Sequence, residues 1–180
     1  TGSNIEGDSC VAVVGDRRFA MDTPALKIKG KHNIYNAQAA VLAAMAAGGP
    51  DESIRKSLSS FEGVEHRLEP VGEIDGVLYI NDSKATNTDS VWYALEAMDR
   101  PVVWIAGGTD KGNDYSLLED IVRQKVRVLV LLGKDTSKLK SYFRDVAPTV
   151  YDTDNLDDAM SLARQSARSG DVVLLSPACA

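Results

Sequence analysis

PVVWIAGGTDKGNDYSLLEDIVRQKVRVLVLLG, residues 101–133, is the stretch that decides the fold. Residues 101–106 and 126–133 are apolar nearly throughout, and SLLEDIVRQK (116–125) between them has helical spacing. A strand that is apolar on both faces needs cover on both, and a helix joining two such strands lets them run parallel. The alternation continues outward. Towards the amino terminus, LEPVGEI (68–74) meets VLYIN (77–81) across Asp75-Gly76, a two-residue hairpin signal, and a helix is expected near 88–98. Towards the carboxyl terminus come a helix near 136–144, a short strand TVY (149–151), a helix LDDAMSLARQSA (156–167) and a strand DVVLLS (171–176). The fold class is α/β, with a doubly wound, mainly parallel sheet covered on both faces.

The first sixty residues read differently. CVAVV (10–14) and RRFAM (17–21) flank Gly15-Asp16 and predict a hairpin. NIYNAQAAVLAAMAAGG, from Asn33, has helical spacing and stops at Gly48-Gly49-Pro50, and Asp51 to Phe61 reads as a second helix capped by Asp51 or Ser53. A small α+β region, 1–62, thus precedes the parallel-sheet region, 63–180.

Composition narrows the function. The chain has 180 residues, 44% hydrophobic and 26% charged, with a formal net charge of -6. Its Lys and Arg residues are scattered, so no nucleic-acid partner is expected, and an anionic small molecule would have to be held by a few placed cations. Cys10 and Cys179 are far apart and lack metal-ligand spacing, which fits a reducing, cytoplasmic setting. No apolar run approaches the roughly 20 residues of a membrane span, and the opening TGSNIEGDSC lacks the order of a signal peptide. No membrane association is expected.

Ligands of an open parallel sheet bind beyond the carboxyl ends of its strands. Four polar loops follow strands directly: Asn81 to Asn87, Gly107 to Gly112, Gly133-Lys134-Asp135, and Ser176 to Ala180. Lys84 and Lys111, on two of these ends, could converge on one anion. Gly107-Gly108 is not a G-x-G-x-x-G fingerprint, and the chain contains no G-x-x-x-x-G-K-[ST] loop.

NDSKATN (81–87), GGTDKG (107–112) and LSPACA (175–180), with GKHNIYNAQAA (30–40) and EHRLE (65–69) upstream, closely resemble the Mur ligase family. Within it the resemblance is to members that add D-glutamate to UDP-N-acetylmuramoyl-L-alanine in peptidoglycan synthesis. It implies a three-domain enzyme, with 1–62 as the carboxyl-terminal part of a central ATP-binding domain. Residues 63–180 are then a Rossmann-like, D-glutamate-binding domain lacking its last segment. ATP and magnesium are the implied cofactors, with the P-loop, most magnesium ligands and the UDP-binding domain in the remainder of the same polypeptide. The implied chemistry passes through an acyl phosphate that the amine of D-glutamate attacks, and 180 residues without a P-loop are not expected to complete it.

The resemblance also implies roles. Lys84 is the implied catalytic residue, stabilising charge on the phosphates or the acyl phosphate, against the alternative of a solvated lysine. Asp82 would bind the ATP ribose or else cap a helix. Thr86 and Lys111 would hold the D-glutamate carboxylates, the alternatives being a cap near Thr88 and a surface lysine. His32, Asn33 and Asn36 stand at a helix start that lies at the nucleotide in the family, and Arg67 resembles a linker arginine that reaches it. Gly107, Gly108 and Gly112 suit close backbone approach or sharp turning. Cys179 receives no catalytic role, since no histidine lies near it in sequence. Two other functions compete: a module that binds a nucleotide or acidic amino acid without chemistry, and a folylpolyglutamate-synthetase-like ligase, against which DSKATN argues.

Overall fold

Residues 1–28 and 30–179 are described in the computed structural model of this chain. They form two units, Thr1–Gly63 and Val64–Ala180.

In the first unit, β2 (Ser9–Val14) and β3 (Arg17–Asp22) pair antiparallel around Gly15, whose φ of 58° suits the tight turn. A third strand, β1 (Gly2–Glu6), pairs with β2 and is exposed throughout. Its sequence, GSNIE, has no apolar alternation, so the sequence carries no sign of it. Helix α1 (Lys31–Ala46) places Ala37, Val41 and Met45 on one face, against Phe19 and Met21 of β3 and Ile54 of α2 (Asp51–Ser60). It ends at Gly48, in the left-handed region at φ 82°, with the Gly49 N–H bonding the Ala44 carbonyl at 2.8 Å. The cap of α2 is Pro50 rather than Asp51 or Ser53, and Asp51 opens the first turn. There it accepts from the Arg17 guanidinium, which also reaches the Gly49 carbonyl.

The second unit holds a six-stranded sheet of β4 (Glu69–Ile74), β5 (Val77–Asn81), β6 (Val102–Ala106), β7 (Val126–Leu132), β8 (Val150–Thr153) and β9 (Val172–Leu175). The order is β4-β5-β9-β6-β7-β8, with β4 antiparallel to β5 and the other pairs parallel. The predicted hairpin turns on Asp75 and Gly76, both at positive φ. Helices α3 (Thr88–Glu96), α4 (Glu119–Lys125) and α5 (Ser137–Phe143) cover one face through Val91, Leu95, Val122 and Phe143, which meet Trp104, Leu129 and Leu174. On the other face α6 (Leu156–Ser166) sets Ala159 and Ala163 against Val103, Ile105, Val130 and Val173.

Cover on both faces is therefore uneven. Three crossovers, β5 to β6, β6 to β7 and β7 to β8, run one way along the sheet, while β8 to β9 runs back. Right-handed connections put the first three helices on one face and the returning one on the other. Beyond α6 that second face holds an apolar cleft of about 590 Å³, lined by Val71, Ile74, Tyr79 and Met160 with Arg164 as its charged member.

Candidate functional site

In the strand order β5-β9-β6 the loop after β9 lies between the loops after β5 and β6, and hydrogen bonds join all three. The Asp82 N–H donates to the Leu175 carbonyl, Ser176 N–H to Ile105, and Gly107 N–H to Pro177. Ala178 is the central link: its N–H donates to the Ala85 carbonyl at 2.9 Å, and its carbonyl accepts from the Asn113 side-chain amide at 2.9 Å. Ala178 sits at φ 61°, uncommon for a residue with a side chain, and that conformation aims its two polar groups at two different loops. The segments bearing Lys84 and Thr86 on one side and Lys111 on the other are thus held one residue apart.

Asp82, expected at a ribose, is 4% exposed. Its Oδ1 accepts from the Leu68 N–H at 3.1 Å and its Oδ2 from the Ser176 hydroxyl at 2.8 Å. Burial raises its carboxyl above the ordinary value against these hydrogen bonds and the nearby Arg67 charge, all of which lower it. It is not a helix cap: Asn87 caps α3, accepting from Ser90 N–H at 2.8 Å. Asp82 therefore holds the 66–69 turn to the strand ends, with only its remaining lone pairs open to a ligand.

That turn is tight. His66 and Leu68 have φ values of 65° and 46°, and the Lys84 N–H donates to the His66 carbonyl at 3.1 Å. His66 also meets the Asn81 amide, and its N–H donates to Glu69. Between two left-handed residues, Arg67 is exposed and close enough to Asp82 to act on its charge. Arg67, Asp82 and Lys84 are thereby brought together.

Lys84, Thr86 and Lys111 are exposed, and among the described residues neither lysine has an ion-pair partner. Lys111 sits in a turn that Asp110 builds, accepting from the Gly112 and Asn113 N–H groups. Gly107 lets β6 end close against β7: a Cβ there would stand 1.9 Å from the Leu132 carbonyl oxygen, at φ 140°. For Gly107 close approach is thus required, whereas Gly112, at φ 85° with open space around it, serves the turn alone. Ser176, Asp110, Asn113, Tyr115 and Lys138 were not singled out from sequence. Asp110 and Tyr115 bond within five residues of one another, whereas Ser176, Asn113 and Lys138 act across 94, 65 and 28 residues, where no local spacing marks them.

His32, Asn33 and Asn36 lie in the first unit, at the start of α1 after Gly30. Asn33 and Asn36 are three apart on one side of the helix, His32 and Asn33 half-buried and Asn36 exposed. Cys179 is buried and its thiol is pushed up, chiefly by burial, which opposes nucleophilic use. Among the described residues no group of three or more His, Cys, Asp or Glu is placed to hold a metal ion. Nor is any described helix long and apolar enough to cross a membrane.

Residues 66–179 match the family described as Mur ligase, glutamate ligase domain. A UDP-N-acetylmuramoylalanine--D-glutamate ligase of Salinibacter ruber is 50% identical over 159 residues, 88% of this chain and 35% of that protein. One of the same name from Christiangramia forsetii is 45% identical over 179 residues, 99% of this chain and 40% of that protein. The chain thus spans about two fifths of the length of these curated relatives. Among solved structures, a pseudomurein peptide ligase type C from Methanothermus fervidus aligns with a TM-score of 0.73 at 18% identity, over 96% of this chain and 38% of that one. A folylpolyglutamate synthase of Mycobacterium tuberculosis, complexed with ADP and AMPPCP, gives 0.71 at 15%, over 98% of this chain and 44% of that one. At these identities the two structures share the fold alone.

Proposed function

Because this chain belongs to the Mur ligase family through its glutamate ligase domain, we propose that it is the D-glutamate-binding part of an ATP-dependent UDP-N-acetylmuramoylalanine--D-glutamate ligase, at work in the cytoplasm. The observation that carries this reading is that Lys84 and Thr86 on the loop after β5 and Lys111 on the loop after β6 are exposed, with no ion-pair partner for either lysine among the described residues, on loops that the β9 loop between them joins by hydrogen bonds. In a chain of net charge -6, two unpaired ammonium groups at one edge suit a dianionic amino acid and a phosphorylated carboxylate. Lys111 and the Thr86 hydroxyl bind the two carboxylates of D-glutamate and so aim its amine. Lys84 offsets negative charge at the acyl phosphate. ATP supplies the phosphoryl group that activates the precursor carboxylate. Arg67 and the remaining lone pairs of Asp82 face the nucleotide, and His32, Asn33 and Asn36 contribute from the first unit. The P-loop and magnesium ligands belong to the remainder of the polypeptide.

The test is a pair of substitutions in the full-length enzyme. A charge-assisted hydrogen bond is worth about 1.5–3 kcal/mol, or roughly ten- to a hundred-fold in affinity. Lys111→Ala should raise KM for D-glutamate by that order and leave the KM values for ATP and the UDP-precursor within a few-fold. Lys84→Ala should lower kcat instead. Loss of ATP affinity alone in Lys111→Ala would refute the assignment and pass the amino-acid site to Lys134, exposed on the next strand end.

A further inference from the structure

Near Lys111 lies a second lysine, on another element, whose bonds are all internal. The Lys138 ammonium, from the first turn of α5, donates to Asp110 Oδ2 and to the Asn113 carbonyl, both at 2.9 Å, and lies 5.2 Å from the centre of the Tyr115 ring. Asp110 Oδ1 accepts from the Tyr115 hydroxyl at 2.8 Å. Tyr115 is fully buried between Tyr142 and Phe143, and its hydroxyl meets the Cys179 sulfur at 3.1 Å. Asn113 in turn is tied to Ala178. The turn 110–113, with Lys111 on it, is therefore held from α5 by Lys138, from the core by Tyr115 and from the β9 loop by Ala178 and Cys179.

We propose that Lys138, acting through Asp110 and Tyr115, is a positioning residue that fixes the turn presenting Lys111 and keeps the Lys111 ammonium free for a substrate carboxylate. This rests on the reading of Lys111 as the D-glutamate cation. Two physical effects combine. A turn that wanders by an ångström misplaces the ammonium, and accurate placement is where such sites gain their affinity. Asp110 is also the carboxylate next to Lys111 in sequence. With Lys138 bonded to it, its charge is compensated; without Lys138 it competes with the substrate for Lys111. The arrangement explains why of these two lysines one is bound internally and the other is not.

The experiment uses the full-length ligase with Lys138→Met, Lys138→Arg and Tyr115→Phe, each in the parent and in a Lys111→Ala background. Steady-state kinetics in all three substrates accompany mass-spectrometric measurement of the rate at which a thiol reagent labels Cys179. Lys138→Met and Tyr115→Phe should raise KM for D-glutamate roughly three- to tenfold, with kcat and the other KM values within about twofold. Lys138→Arg should restore most of the loss. The effect should vanish in the Lys111→Ala background, and Cys179 should label several-fold faster once the turn loosens. Equal effects on all three substrates, an undiminished effect without Lys111, or unchanged Cys179 labelling would each overturn the proposal. Tyr115→Phe keeps the buried ring and serves if Lys138→Met does not fold. Should the parent lack D-glutamate-dependent turnover, the ligase reading falls, and the labelling rates alone then decide whether Lys138 orders the turn.

Discussion

Asp82 follows β5 and Asp110 follows β6, on either side of β9, and the two are driven in opposite directions. Lys138 and then Tyr115 hold Asp110 down to about 2, from an ordinary value of 3.8, whereas burial lifts Asp82. The signs of their linkage to folding differ accordingly. Asp110, with its folded-state value depressed, contributes stability that is complete above 3.8 and fades as pH falls towards 2. Urea midpoints of the parent and Asp110→Asn should therefore differ at pH 6, and the gap should begin to close below 3.8 and shrink steadily as pH falls towards about 2. A gap that stayed constant over this range would mean that the carboxylate charge is not what secures the turn. Asp82 carries the reverse sign: its ionisation costs stability as pH rises from its ordinary 3.8 through the raised value. Asp82→Asn should gain on the parent over that interval, measured by the same midpoints.

Two glycines in one loop separate close approach from turning. Gly107→Ala sets a methyl group 1.9 Å from the Leu132 carbonyl oxygen at φ 140°, with backbone on both sides of the clash. Its cost should exceed about 3 kcal/mol, seen as a collapse of the urea midpoint or as insoluble protein. Gly112→Ala, at φ 85° in open space, should cost about 1–2 kcal/mol. Similar losses for the two would mean that β6 and β7 end less closely than described. These elements also divide what could be read from sequence. The apolar runs that became β6 and β7, the Asp75-Gly76 hairpin and the Gly48 stop announced themselves, because each depends on residues within a few positions. Strand β1 did not, since its polar residues are held by pairing with β2 and not by burial. Lys84, Thr86 and Lys111 could be placed on loops after strands. That Asp82 is engaged by Leu68 and Ser176, and Asp110 by a lysine 28 residues away, depends on which strands become neighbours. No spacing encodes the insertion of β9 between β5 and β6.

At the scale of the molecule, the units Thr1–Gly63 and Val64–Ala180 meet in sequence at Phe61–Glu65, five exposed residues in neither helix nor strand. Chymotrypsin under limiting conditions should cut first after Phe61, which is 48% exposed. A first cut within 100–175 would show that the sheet opens more readily than the connection. No P-loop occurs in these 180 residues, so they should release no phosphate from ATP when given the UDP-precursor and D-glutamate. Turnover above background from this polypeptide alone would show that ATP chemistry needs nothing outside it.

Trp104 on β6 is fully buried, and its indole N–H donates to the Ser176 carbonyl at 2.8 Å. The same serine's hydroxyl bonds Asp82. The chain has two tryptophans, and Trp92, the other, is half-buried on α3. Trp92→Phe would thus leave a single tryptophan, buried in the core and one residue removed from the strand-end carboxylate. Its emission would report, without any added dye, each time that edge of the sheet changes its hydrogen bonding.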